Sequence, residues 1–213
     1  MSCLKTCILF AFVINLKAAM SETEVPMAII PAGMNVADFT NYTAGKFWHE
    51  LYYVLPFING KPRYIPDINY FLRFSATDDP NVYKIDTKGD IPSVDQGRLI
   101  CVQRPEFAVL SNPIMNAEFS LRKTVNGPNS RSLVVWSSDP EHFFWTMRCR
   151  EEGHPNNSTC NIDQTDMALF VSGTPNDLNW PLVLEDIAKT NITFADRAYK
   201  WFYAYSETSR CID

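Results

Sequence analysis

The chain has 213 residues, of which 46% are hydrophobic and 20% are charged, a balance that is typical of a globular protein and excludes wholesale disorder. The length allows one domain, or two. The net charge is −5 and no basic cluster is visible, so nucleic acid and anionic membrane surfaces are poor partners for this chain.

The first 19 residues have the order of a secretory signal peptide: Lys5, a short apolar run, then Ala18 and Ala19. The run is shorter than the roughly 20 residues that a membrane-spanning helix needs, and no later stretch is apolar enough to span a membrane. We therefore predict a cleaved signal over residues 1–19, not an anchor, and a secreted, extracellular protein. Loss of Lys5 and Lys17 with the signal would leave 17 basic residues against 24 acidic ones, a net charge of −7.

Residues 20–44 read as a loose leader, and strand-forming segments follow it. These segments are rich in Val, Ile, Phe, Tyr and Trp, and Pro, Gly, Asn and Asp separate them. So many short strands before any helix predict an all-β barrel or sandwich. The predicted strands are 47–55, 67–75, 81–87, 98–103, 106–111, 116–124, 131–137, 141–149 and 166–173, of which 98–103 and 106–111 could be one strand kinked at Pro105.

One predicted hairpin is apolar on both faces. The runs Leu133–Trp136 and Phe143–Met147 flank the polar turn Ser137–Pro140 and do not alternate in polarity. Such a hairpin needs a core on one face and a covering element on the other. A closed barrel with a helix on its outside supplies both, and eight strands enclose enough space for one small ligand.

A helix is predicted after the last strand. Asp177–Pro181 is a suitable start, because proline is accepted in the first turn, and Leu184, Ile187 and Ala188 then share one helical face. The segment that begins at Thr193 could form a second helix or run extended toward the C-terminus, and the sequence leaves both possibilities open.

An exported chain keeps its cysteines in an oxidising environment. After loss of the signal, Cys101, Cys149, Cys160 and Cys211 remain, an even number that predicts two disulfides with three possible pairings. The sequence has neither a CxxC element nor a zinc-like cysteine and histidine spacing, so we expect no metal site. The candidate glycosylation sites among the Asn-x-Ser/Thr acceptors are Asn41, Asn157 and Asn191.

The order of elements, with three short motifs, resembles the lipocalin family. Gly45-Lys46-Phe47-Trp48 is similar to the family's Gly-x-Trp opening of the first strand, with the Trp one residue late. Ser138-Asp139-Pro140 is similar to its Thr-Asp-Tyr turn, with Pro in place of Tyr. Ser172-Gly173 follows the last strand, where the family has Arg in place of Gly173. The resemblance covers roughly residues 45–211 and is to a divergent member.

The resemblance implies an eight-stranded antiparallel up-and-down β-barrel over residues 45–213, with a C-terminal helix packed on the outside. It also implies two disulfides, Cys101–Cys211 and Cys149–Cys160, and a first strand whose Trp48 side faces inward and plugs the base. The resemblance implies binding of a small molecule, not catalysis, although a few lipocalin-like proteins are enzymes, so we predict a binding protein with no enzyme activity and no cofactor.

Candidate ligand contacts follow from strand alternation, with the Trp48 side of the first strand taken as inward by the resemblance. Each aromatic among them could instead fill the core. A carboxylate such as Glu50 or Glu118 facing inward would need an internal Arg or Tyr, or a cationic ligand; the alternative for each is an exposed or salt-bridged side chain. The candidates are Trp48, Glu50, Tyr52, Tyr70, Leu72, Phe74, Glu118, Trp136, Phe143, Trp145 and Met147.

The predicted function is that of a secreted carrier for a small hydrophobic or amphipathic ligand, such as a lipid, retinoid, pigment or amine. The alternative is a secreted interaction protein with a filled barrel, whose loops act on a partner protein, for example as a salivary or defence factor. A void of ligand size favours the carrier, and a packed interior favours the interaction protein. The sequence does not predict the oligomeric state.

Overall fold

The computed structural model describes residues 27–58, 61–62, 68–93, 98–112, 115–150, 158–192 and 199–205. The predicted signal peptide, Asn157 and Cys211 lie outside these ranges. In chain order the strands are β1 Met27–Ile29, β2 Trp48–Ile58, β3 Lys61–Pro62, β4 Ile68–Ala76, β5 Val82–Ser93, β6 Arg98–Gln103, β7 Glu106–Leu110, β8 Glu118–Arg122, β9 Arg131–Trp136, β10 Phe143–Arg150, β11 Thr159–Asn161, β12 Thr165–Val171 and β13 Tyr199–Tyr203.

Eight antiparallel strands close into a barrel, which confirms the predicted fold. Each strand pairs with the next in the order β2, β4, β5, β7, β8, β9, β10 and β12. The barrel closes because β12 pairs back with β2, with Phe170 opposite Glu50 and Val171 opposite His49. The predicted strand segments correspond to these strands to within a few residues, except that β5 runs on to Ser93.

The segments 98–103 and 106–110 are separate strands, and both pair with β5. Arg104, between them, donates its backbone N–H to the Thr87 carbonyl at 3.2 Å and accepts the Thr87 hydroxyl at 2.7 Å. The chain therefore bends at Arg104 and Pro105 without leaving the sheet.

The leader packs against the barrel over the residues that the structure describes, so the expectation of a loose segment is wrong there. β1 pairs with β11. Helix α1, Val36–Asp38, continues as a π-helical turn, Phe39–Thr43. The Phe39 ring contacts the rings of Phe74, Tyr83 and Phe119 at 5.0, 5.1 and 5.1 Å, and it is fully buried. The leader thus closes one end of the barrel, which we call the base.

Helix α2, Trp180–Ala188, covers the outer face of the hairpin that β9 and β10 form, the hairpin that is apolar on both faces. The indole N–H of Trp145 donates to the Val183 carbonyl at 3.3 Å, and that of Trp136 to the Asp186 carbonyl at 3.2 Å. The hairpin is therefore apolar on both faces because one face lines the barrel and the other meets a helix. Among the described residues, no helix is long and apolar enough to cross a membrane.

Asp186 fastens this helix to the turn between β9 and β10. Its carboxylate is fully buried and accepts the backbone N–H and the hydroxyl of Ser138, each at 2.6 Å. Lys189 donates to the same carboxylate at 2.5 Å. The turn is thus held by the hydrogen bonds that Ser138 donates to the helix, a role of Asp186 that the sequence pattern of the helix does not reveal.

Strand β13 completes the wall between β2 and β4, which pair directly only near Trp48 and His49 in the described chain. Further from the base, the Ala204 N–H donates to the Leu51 carbonyl at 3.0 Å, and the Asn69 N–H donates to the Ala204 carbonyl at 3.0 Å. The sequence left open whether the tail forms a helix or an extended segment, and residues 199–203 form a strand. Residues 193–198 lie outside the described chain.

Candidate functional site

Aromatic side chains fill the base half of the barrel interior. The five rings that we call the base cluster each keep at most 1% of their surface accessible. Phe144 is central, with ring centroids at 4.8 Å from Trp48, 5.1 Å from Phe170 and 6.3 Å from Phe74. The base half therefore has no room for a ligand. The base cluster consists of Trp48, Phe74, Phe119, Phe144 and Phe170.

Trp48 has the base position that the family resemblance implied. It is fully buried, and its indole N–H donates to the Thr43 carbonyl of the leader at 2.9 Å. Leu72 and Phe74 belong to the same interior core. These three predicted site residues are structural neighbours at the filled end of the barrel.

A β-bulge in β2 changes which tyrosine faces the interior. Leu169 lies opposite Tyr52 but Phe170 lies opposite Glu50, so Leu51 is an extra residue in the pairing. Beyond the bulge Tyr53 joins the interior core, and Tyr52 packs with the outer cluster under the helix. The simple alternation that grouped Tyr52 with Trp48 and Glu50 is therefore wrong after Glu50.

Polar side chains line the interior above the base cluster. By strand alternation Glu106 shares a face with Ala108, and Arg131 with Leu133, both members of the interior core. Asp166 shares a face with Ala168 and Phe170 in the same way. We call this set the polar layer: Glu50, Tyr70, Thr87, Glu106, Arg131, Arg148 and Asp166.

Three charged residues of the polar layer form an ion network inside the barrel. Arg131 contacts Glu106 at 3.2 Å and Asp166 at 3.7 Å. Their strands are not neighbours, because β8 lies between β7 and β9, and β10 lies between β9 and β12. The side chains of Arg131, Glu106 and Asp166 keep 26%, 18% and 20% of their surface accessible. Solvent-sized space therefore reaches this level of the interior, in contrast to the base.

Tyr70 and Arg148 form the deepest polar contact of this layer. Burial raises the pKa of Tyr70 and the Glu50 charge adds to the rise, while Arg148 and a hydrogen bond with Thr87 oppose it. Burial works against the charge of Arg148, but Tyr70, Glu106 and Asp166 outweigh it and raise the pKa of the guanidinium. At neutral pH the pair is thus an uncharged phenol beside a charged guanidinium.

The Nε atom of Arg148 is buried and has no hydrogen-bond acceptor among the described residues. Other parts of Tyr70 and Arg148 keep intermediate accessibility, although both side chains lie deep inside the protein. Their accessible surface therefore faces the space inside the barrel. The Nε atoms of Arg73 and Arg122, on outer faces, also have no acceptor within the described chain, so it is the position of Arg148 beside this interior space that makes it a candidate binding group.

Four predicted contacts lie on the outside of the barrel. Trp136, Phe143, Trp145 and Met147 belong to the core between the barrel and α2, so they do not line the interior. Their strands are apolar on both faces. The alternation of side chains along such a strand does not show which face is the inner one. The inner face of β10 is formed by Phe144, Thr146, Arg148 and Arg150. The two charged residues at its end, Arg148 and Arg150, are the signal that could have identified this face.

Glu118 also lies outside the interior. It alternates with Phe119 and Leu121, which are in the interior core, and its Oε1 atom accepts from Gly33 N–H and Asn116 Nδ2, each at 3.5 Å. Glu118 thus contacts the leader instead of a ligand. Glu50, the other candidate carboxylate, is on the inward side and 8% exposed.

The cysteine pairing implied by the resemblance is present for one bond. Cys149 and Cys160 are joined, with their Cα atoms 6.0 Å apart. Cys101 is also disulfide-bonded, and its predicted partner Cys211 lies outside the described residues.

Of the glycosylation candidates that the structure describes, Asn41 and Asn191 are both exposed.

Other features of the described chain are weaker site candidates. His142 is exposed, and its contact with Asp139 at 2.8 Å raises its pKa. Within the described ranges no three His, Cys, Asp or Glu residues form a group that could hold a metal ion.

A groove of about 640 Å³ at the base end is open to solvent and contains no residue of the polar layer. Its lining residues are Val36, Thr40, Ala44, Gly45, Ala76, Thr77, Asp78, Asp79, Pro80, Asn81, Val82, Tyr83 and Leu110.

No family model matches the chain, and no curated protein sequence matches it. Solved structures similar to it include Per a 4, a major allergen from cockroaches, at 13% identity over 77% of this chain and 87% of that one, with a TM-score of 0.46. The bovine lipocalin allergen Bos d 2 is similar at 14% identity over 72% and 87% of the two chains, with a TM-score of 0.37. Likeness at this level carries no argument about function. The chain's own strand pairings show the closed eight-stranded antiparallel barrel with a C-terminal helix that is typical of the lipocalin fold.

Proposed function

We propose that this protein is a secreted carrier that binds one small amphipathic molecule in the upper half of its barrel. The observation that carries the proposal is the difference in accessibility inside the barrel. The base cluster is at most 1% exposed, whereas Arg131 and Asp166 keep 26% and 20% of their side-chain surface accessible.

The chemistry of the upper half suits an amphipathic ligand. Tyr53 and Phe202 stack at 5.1 Å and belong to, or pack against, the interior core, so aromatic surface is available for an apolar group. Tyr70 and Arg148 supply polar groups at fixed positions. A mostly apolar pocket with a few convergent polar groups is the usual form of a small-molecule site. Because Phe39 closes the base, the ligand enters from the opposite end.

Secretion is part of the same proposal. The disulfide between Cys149 and Cys160 is stable in an oxidising compartment, and the signal-like first 19 residues would direct the chain there. Exposed acceptor asparagines at 41 and 191 would be accessible to glycosylation in the same route.

A second function is favoured by the packing of the base. Five large side chains and Phe39 fill half of the interior, which is the arrangement expected for a barrel that acts through its surface. In that case the protein would bind a partner through its loops, and the polar layer would hold only water.

A substitution that fills the upper half separates the two functions. Ala168 lies opposite Thr146, between the base cluster and Asp166, and is 7% exposed, so Ala168→Phe adds a ring that raises the floor of the upper half into the ligand's space. We expect Ala168→Phe to weaken binding of an apolar fluorescent dye by more than about tenfold, a loss of about 1.4 kcal/mol. Ala188→Phe adds the same ring on the exposed end of α2 and should bind the dye like the unmodified protein. Unchanged dye binding by a folded Ala168→Phe variant would place the ligand elsewhere.

A further inference from the structure

We propose that Arg148, held in position by Tyr70, donates a hydrogen bond to an uncharged oxygen acceptor, so that the ligand is a neutral amphipathic molecule with a carbonyl or hydroxyl head group. This inference rests on the proposed carrier function and names the chemical class of its cargo. A long-chain ketone, ester or alcohol has the required head group.

The position of Arg148 makes it the innermost charged donor in the described interior. It is two residues beyond Thr146 and four beyond Phe144 on the same face of β10, and Asp166 lies opposite it on β12. Phe144 belongs to the filled base cluster. A head group that reaches Arg148 would therefore stop just above the base, with its apolar tail directed away from Trp48.

The contacts of Arg148 leave one donor for a ligand. Tyr70 accepts a hydrogen bond from the guanidinium, and the Nε–H remains buried without an acceptor in the described chain. A buried guanidinium donor without an acceptor is unfavourable, and an oxygen atom that accepts from it removes that penalty. The Tyr70 hydroxyl contacts both Arg148 and Thr87, and it thereby holds the guanidinium in position.

The charges around the pair select against ionised head groups. Three arginines, Arg131, Arg148 and Arg150, lie on the inward faces of β9 and β10, and three carboxylates lie on other inward faces, so the charges balance; the carboxylates are Glu50, Glu106 and Asp166. A carboxylate or an ammonium group would therefore add an unbalanced charge in a region of low dielectric constant. An ammonium group would face the donors of Arg148, and Glu50 already interacts with other protein groups.

Four ligands with matched tails test the inference directly. The probes are 2-tridecanone, 1-dodecanol, dodecanoic acid and dodecylamine, each competing with an apolar fluorescent dye for the intact mature protein at neutral pH. We expect the ketone and the alcohol to bind about tenfold tighter than the acid and the amine, the size of effect that one well-placed hydrogen bond produces.

Variants assign the selectivity to the pair. Arg148→Met keeps the length of the side chain and removes its donors, and it should weaken ketone binding about tenfold relative to dye binding by the same variant. Arg73→Met is the matched control, because Arg73 lies on the outer face of β4 in a salt bridge with Asp86 at 3.1 Å, and it should leave all four ligands unaffected. If Arg148→Met does not fold, Tyr70→Phe replaces it, and a selective loss of ketone and alcohol binding supports the inference.

Each other outcome has a definite meaning. Tightest binding of the acid would show that Arg148 receives an anion, and tightest binding of the amine would show that Glu50 receives a cation; both overturn the neutral head group. Equal binding of all four probes, unchanged in Arg148→Met, would overturn the inference and leave the carrier function in place. Failure of the dye and every probe to bind would overturn the carrier function itself.

Discussion

At the base of the barrel Trp48 and Phe144 have no accessible surface, whereas Arg131 and Glu106 in the polar layer keep 26% and 18% of theirs. Both sets face the same interior and lie on strands of the same sheet. The base is sealed by a leader that packs on the rings, and the upper half contains charged groups in contact with one another. The same interior therefore contains a closely packed core at the base, which stabilises the fold, and a partly accessible polar region in the upper half, which is suited to binding.

The largest expected effect is the loss of the base core. Trp48→Ala removes a fully buried indole that also donates to the Thr43 carbonyl, and we expect it to lower the free energy of unfolding by about 3–5 kcal/mol. Chemical denaturation measures this change. Phe47→Ala is the neighbouring control, because Phe47 is 42% exposed, and its cost should stay below about 1 kcal/mol. A stability unchanged by Trp48→Ala would contradict the description of the base as a core.

A smaller effect is expected where helix α2 meets the turn between β9 and β10. Asp186→Ala leaves the Ser138 N–H and hydroxyl without their acceptor, and we expect a loss of about 2–3 kcal/mol in unfolding free energy. The adjacent Glu185→Ala changes an exposed carboxylate and should alter stability by less than about 0.5 kcal/mol. Equal effects of the two substitutions in thermal or chemical unfolding would show that the buried carboxylate does not fasten the helix.

The smallest effect concerns the polar layer at alkaline pH. The pKa of Tyr70 is raised, first by burial and then by Glu50, so the folded protein holds this proton above the pH at which the unfolded chain loses it. The contribution of Tyr70 to stability is present below its unfolded pKa of about 10 and is lost as the pH rises through the folded value. Phenolate absorbance should therefore show one late-titrating tyrosine that is missing in Tyr70→Phe; identical titration curves would contradict its burial in the interior.

The strands could be predicted from sequence because β-branched and aromatic clusters separated by turn residues report local structure. The closed barrel followed from a hairpin that needed burial on both faces. The inner face of β10 could not be predicted, since Phe143, Phe144 and Trp145 are all apolar. The β-bulge at Leu51 cannot be recognised from the alternation of residues in the sequence. Because of this bulge, Tyr52 packs on the outside of the barrel and not in the predicted site.

The contacts between the charged residues of the polar layer could not be predicted from the sequence either. Glu106, Arg131 and Asp166 come from strands far apart in sequence, and closure of the barrel brings them together. The leader was misjudged because its short elements have little periodicity, although Phe39 closes the base. Pairing between distant segments, rather than local pattern, decides both features.

The measurement that tests the central claim most directly is native mass spectrometry, with an absorption spectrum, of the mature protein purified from its own source. The account predicts one small molecule per chain, released on unfolding, with a neutral oxygen-bearing head group. A protein of unliganded mass that also fails to bind apolar dyes would contradict it, and would favour a filled barrel that acts through its surface.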